Sequence, residues 1–95
     1  MAIKVLILRR GGSEHFGELK PLMKSIRSLA LSQAGYVSGE TYVNYEDPNE
    51  YLVISTWASI EQWNEWLNHP ERVAMQNRID SLLGQKTAYQ IFQHA

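Results

Sequence analysis

The sequence predicts an α+β domain: a ferredoxin-like βαββαβ sandwich, with two helices on one face of a four-stranded antiparallel sheet. Three observations predict it. Apolar residues switch between strand and helix periods in the order strand, helix, strand, strand, broken helix, strand. The two middle strands are joined by a short turn, which makes them a hairpin. The length, 95 residues, leaves room for a single domain spanning 1–95.

Each element has its own signature. Ile3 to Leu8 is β-branched and apolar, and Arg9-Arg10-Gly11-Gly12 reads as its solvated end. Phe16, Leu19, Leu22, Met23, Ile26, Leu29 and Ala30 recur at helical spacing over 16–31. Pro21 requires that helix either to start near Glu18 or Lys20 or to bend. Gly35 suits the left-handed position that stops it. Tyr36 to Tyr45 alternates, and Tyr51 to Trp57 is β-branched and aromatic, with Glu46-Asp47-Pro48-Asn49-Glu50 as the turn. Ser59-Ile60-Glu61-Gln62 has the form of a capping box, opening a helix with Ile60, Trp63 and Leu67 on one side. Asn68-His69-Pro70-Glu71 breaks and restarts it, Asn68 being placed to cap with Glu71 three residues later. The second piece, 71–83, shows Met75, Ile79, Leu82 and Leu83 on one face and ends at Gly84. Thr87 to Phe92 is the last strand.

The strands carry more apolar surface than one layer of helices can cover. Ile3, Val5 and Ile7 point one way and Leu6 and Leu8 the other; Val53 and Trp57 oppose Leu52 and Ile54. A sheet wetted on one face shows clean alternation instead. The economical cover for the second face is another copy, so a homodimer through sheet-to-sheet packing is expected.

Composition excludes several functions. Nine basic residues against ten acidic ones, a net charge of −1, give no excess to hold a phosphate backbone, so nucleic acid is not an expected partner. There is no cysteine, hence no disulfide, thiolate metal site or cysteine nucleophile. No His pair has metal-ligand spacing, and there is no dinucleotide fingerprint or Walker motif, so neither a metal nor another cofactor is expected. Val5-Leu6-Ile7-Leu8 is too short for a membrane span or a signal core, and the expected setting is cytoplasmic.

The candidate site comes from aromatic density. Seven of the ten aromatic residues fall between Tyr36 and Trp66. Such rings either fill the core of a small domain or line a flat cleft for a planar apolar ligand. Trp57 and Trp66 are the candidate substrate-binding residues, with Trp63 read as core. His69, at the helix break, and Tyr36 are the candidate catalytic residues; a neutral imidazole or a phenol there could handle a substrate proton.

Gly35-Tyr36-Val37-Ser38-Gly39-Glu40, the strand Tyr51 to Trp57 ending in Thr56-Trp57, and Trp66-Leu67-Asn68-His69-Pro70-Glu71-Arg72 together resemble the antibiotic biosynthesis monooxygenase family. The resemblance runs from Ile3 to Phe92 and implies monomers that pair as a dimeric α/β barrel. It also implies oxygenases that use neither metal nor flavin, in which a deprotonated phenol or quinol ring donates an electron to O₂. Trp57 corresponds to the tryptophan ending the third strand in the polyketide-phenol oxygenases. Their asparagine, tyrosine and arginine correspond to Val53, Thr41 and Gln76. Trp66 corresponds to the tryptophan of the haem-degrading branch, whose iron-binding histidine falls on Gln76 and whose strand-one asparagine falls near Leu8. Two functions follow as expectations: a cofactor-independent monooxygenase acting on a small aromatic phenol or quinol, or a non-catalytic dimeric ligand-binding or stress-related module.

Overall fold

In the computed structural model, described for residues 1–11 and 13–95, the chain forms one four-stranded antiparallel sheet in the order β2-β3-β1-β4. The strands are β1 (Ile3–Arg10), β2 (Tyr36–Val43), β3 (Glu50–Trp57) and β4 (Ala88–Gln93). The helices are α1 (Phe16–Leu31), α2 (Ile60–Leu67) and α3 (Pro70–Leu83), with a single 3₁₀ turn at Ser13–His15 ahead of α1. This is the expected ferredoxin-like α+β sandwich.

The inner face of the sheet is set by register. Ile3, Val5, Ile7 and Arg9 of β1 lie beside Trp57, Ser55, Val53 and Tyr51 of β3. Ile3, Val5 and Trp57 pack with Leu19, Ile26 and Ala30 of α1 and with Trp63, Trp66, Ile79 and Leu83 in one buried core. Burying a side chain of this size contributes about 1.5–3 kcal/mol, so these few residues dominate a small domain's stability. On the outer face Leu6 lies beside Ile54 and Leu8 beside Leu52, half-buried, with Phe92 52% exposed.

Local chemistry explains the boundaries and corrects several expectations. α1 runs unbroken from Phe16 with Pro21 inside it. Proline removes one N–H, whose acceptor would be the carbonyl of Gly17 in the first turn. Gly35 is left-handed at φ 88°, but α1 already ends at Ser32, so Gly35 shapes the turn into β2. A side chain at Gly35 would also overlap that of Gln62. Ser59 caps α2: its Oγ accepts from the Gln62 N–H at 3.2 Å and donates to Gln62 Oε1 at 3.1 Å. The cap of α3 is His69 rather than Asn68, its Nδ1 accepting from the Glu71 N–H at 3.2 Å.

Two further differences matter for the site. Of the apolar set expected in α3, Ile79 and Leu83 are buried and Met75 and Leu82 half-buried, and two polar residues, Arg72 and Gln76, are buried beside them. Arg9 is no solvated strand end: it is 4% exposed. Its parity with Ile3, Val5 and Ile7 carries it beneath the helices.

Candidate functional site

A cavity of about 70 Å³ lies between α1 and the sheet. Ile7 and Arg9 of β1 and Val53, Ser55 and Trp57 of β3 form its floor. Met23, Ile26, Arg27 and Ala30 supply the α1 wall, while α2 contributes Trp63 and Trp66. Tyr36, Gly39 and Thr41 of β2 complete it.

An irregularity in β2 decides which of its residues reach the cavity. Tyr36 faces Trp57 and Ser38 faces Thr56, so Val37 is extra in the ladder and the alternation shifts by one. Gly39 and Thr41, rather than Ser38 and Glu40, then share the inner face with Tyr36. A side chain at Gly39 would collide with the Tyr36 hydroxyl, so this glycine gives the phenol its room.

The indoles form one cluster around Trp57. Trp57 and Trp66 lie at 6.1 Å with planes 22° apart. Trp63 meets Trp57 at 5.7 Å and 65°, and Tyr36 meets it edge-on at 5.3 Å and 90°. Edge and offset contacts of this kind are worth about 0.5–1.5 kcal/mol each beyond burial. Trp57 is held by its Nε1–H, which donates to Ser55 Oγ at 3.3 Å. All three tryptophans are buried and all three line the cavity, so Trp63 is both core and wall. Tyr42 and Tyr45 are exposed and lie outside it.

Tyr36, Trp57 and Trp66 are therefore brought together, and His69 stands apart. The His69 ring packs on Trp66 at 5.7 Å, from a position that does not line the cavity. Its Nδ1 is occupied as the helix cap.

Arg9 is the residue that sequence reasoning missed, although parity with Ile7 marked it. Its Nη2 donates to Gln76 Oε1 at 3.1 Å. The Gln76 amide donates in turn to Asp80 Oδ1 at 2.8 Å and Thr87 Oγ1 at 2.7 Å. Asp80 Oδ1 also accepts from the Thr87 hydroxyl at 2.8 Å and the Thr87 N–H at 3.2 Å. Arg72 donates to Leu67 O at 2.9 Å and to the Tyr89 hydroxyl at 3.0 Å. Burial pushes the Arg9 guanidinium below the usual arginine value; Tyr89 and Asp80 oppose the shift and Arg72 adds to it. It remains a cation at any pH the fold meets.

Size sets what the cavity admits. About 70 Å³ holds a few waters and is roughly half the 150 Å³ of an engineered cavity that binds benzene. A single aromatic ring therefore needs the rim to give, and a bicyclic one more so. The rim residue Arg27 is exposed and spans from α1 to β2, donating to Gly39 O at 3.3 Å. Among the described residues no three His, Asp or Glu side chains converge to hold a metal ion, and no helix is long and apolar enough to cross a membrane.

Comparison with known proteins agrees with this architecture. A conserved protein from Methanosarcina mazei superposes with a TM-score of 0.92 at 18% identity, over 100% of this chain and 94% of that one. SnoaB, a cofactor-independent oxygenase from Streptomyces nogalater, superposes at 0.82 with 15% identity, over 99% and 92%. Rv0793 from Mycobacterium tuberculosis does so at 0.87 with 14% identity, over 100% and 96%. At such identities the likeness shows the fold alone. No curated protein sequence matches the chain. Residues 2–78, however, match the sequence profile of the family described as antibiotic biosynthesis monooxygenase, and the chain belongs to that family.

Proposed function

We propose that this protein is a cofactor-independent monooxygenase for a small, electron-rich phenol or quinol held in the cavity between α1 and the sheet. The observation that carries the reading is the aromatic enclosure: Tyr36, Trp57, Trp63 and Trp66 wall one cavity. Family membership and the likeness to a cofactor-independent oxygenase support it.

The reaction asks for a dry site and control of one proton. The ionised ring gives an electron to O₂, one oxygen atom ends as a ring carbonyl, and the other leaves as water with the ring hydrogen and the hydroxyl proton. Excluding water protects the reactive intermediates. Trp57 and Trp66 stack on the ring, and the Tyr36 phenol, on the same wall, hydrogen-bonds the substrate oxygen. His69 acts from outside, fixing the edge of Trp66 and the start of α3.

The functional unit is proposed to be a homodimer, with the outer stripe of Leu6, Leu8, Leu52 and Ile54 covered by the same stripe of a second copy. Its apolar residues, all half-buried in the single chain, support the pairing.

Oxygen consumption by the purified protein, screened against quinols and phenols, tests the activity. Saturable uptake of one O₂ per substrate above the uncatalysed rate is expected. Tight binding of these compounds with no uptake would instead establish a ligand-binding module.

A further inference from the structure

We infer that Arg9 makes the cavity an anion site, selecting an aromatic ligand that carries an ionised oxygen, with the Arg9 Nε–H as its donor. The inference rests on the reading that this cavity is the ligand site and adds to it the residue that selects and holds the ionised oxygen.

Three observations carry it. Arg9 is 4% exposed and lines the cavity, and its buried Nε–H has no hydrogen-bond partner. A buried donor left unmade costs about 1–3 kcal/mol, and more on a charged group. Second, the guanidinium is clamped from behind. Gln76 holds Nη2, and Asp80 and Thr87 hold Gln76. Third, the charges do not balance. Among the described residues, the cavity lining contains two arginines, Arg9 and Arg27, and no carboxylate.

The groups around Arg9 leave the cluster net positive, two cations against the one carboxylate of Asp80, which is linked to Arg9 through Gln76. From α3 come Arg72, a second cation, and Asp80, whose Oδ1 already accepts from Gln76 and twice from Thr87. Tyr89 approaches from β4 with its hydroxyl accepting from Arg72. Tyr51 neighbours Arg9 across the β1–β3 ladder, and Arg27 faces it from α1 at the rim. A buried cation whose guanidinium bonds a neutral carboxamide, with its carboxylate one residue removed and shared with a second cation, is under-compensated. An anionic oxygen at Nε satisfies both the charge and the open donor. Because the remaining walls are mostly aromatic and aliphatic, with Tyr36, Trp57, Trp63 and Trp66 on one side, the anion that fits is a phenolate or enolate on a flat ring.

The test uses 4-nitrophenol, whose neutral and ionised forms absorb at different wavelengths, and its methyl ether 4-nitroanisole. Neither dye needs to turn over. With the full protein, bound nitrophenol should appear as the phenolate, its titration midpoint falling by about one pH unit. Nitroanisole should bind about tenfold more weakly or worse. Arg9→Met should abolish the shift, Arg9→Lys should keep part of it, and Arg27→Gln, at the solvated rim, should weaken it less than Arg9→Met. If Arg9→Met does not fold, the two dyes on the unaltered protein decide. Nitrophenol bound in its neutral form, the ether bound as tightly, no binding of either dye, or a shift lost in Arg27→Gln would each overturn the inference. Oxygen uptake separates the two readings. An anion-selective cavity without uptake ends the oxygenase and leaves Arg9 its role; uptake with no preference for the ionised dye does the reverse.

Discussion

Arg9 near the end of β1 and Gln76 in α3, 67 positions apart, share a buried hydrogen bond of 3.1 Å between the sheet and α3. The carboxamide stands between a cation and a carboxylate, accepting from one and donating to the other. Only a side chain with both an acceptor and a donor can do this. Gln76 is also where the resemblance places the iron-binding histidine of the haem-degrading branch. Here both ends of its amide are committed.

Gln76→Leu keeps the volume and removes the bridge. Arg9, Asp80 and Thr87 each lose a partner, so stability should fall by about 3 kcal/mol in urea denaturation. A loss below about 1 kcal/mol would mean that water reaches these groups and that Arg9 is not truly buried.

His69 gives a prediction that separates structure from chemistry. His69→Ala removes the N-cap of α3 and should cost about 1 kcal/mol, whereas His69→Asp restores an acceptor and should return most of it. Oxygen uptake by His69→Asp should be close to that of the unaltered protein. A large fall in kcat with stability restored would instead make His69 a proton-transfer group.

Gly39→Ala tests the fit of Tyr36. The added methyl displaces the phenol from the cavity wall. Because Tyr36 packs edge-on against Trp57, its near-ultraviolet circular dichroism should change. Turnover should fall about tenfold or more if the phenol hydrogen-bonds the substrate oxygen. An unchanged spectrum and rate would remove Tyr36 from the site.

Leu6→Lys tests the outer face. Leu6 lies beside Ile54 away from the helices, so a lysine there meets solvent in a lone chain and an apolar partner in a dimer. Sedimentation should show a dimer for the unaltered protein and a folded monomer for the variant. A dimer that survives Leu6→Lys would place the interface elsewhere.

The strands, the helices and the hairpin were legible because period and turn chemistry are local signals. The aromatic cluster was legible by density. What escaped depends on parity and on polar burial. Arg9 followed Ile3, Val5 and Ile7 in step, but its charge argued for solvent more loudly than its position argued for the core. The inserted Val37 shifts which residues of β2 face inward, and one extra residue leaves no mark in an alternating sequence. In α3, Arg72 and Gln76 occupy buried positions that an apolar count assigns to surface, because their partners lie in β1, β4 and the end of α2.

The most direct measurement for the cavity is a tryptophan-fluorescence titration with a quinol under nitrogen, comparing the unaltered protein with Trp66→Phe and Trp63→Phe. Both indoles are buried, so both variants should lose about 1–2 kcal/mol of stability. If the ring of the ligand stacks beside Trp57 and Trp66, quenching should saturate, and Trp66→Phe should weaken binding several-fold more than Trp63→Phe. Quenching that never saturates, or an affinity unchanged by either substitution, would show that the aromatic enclosure is core alone and not a binding site.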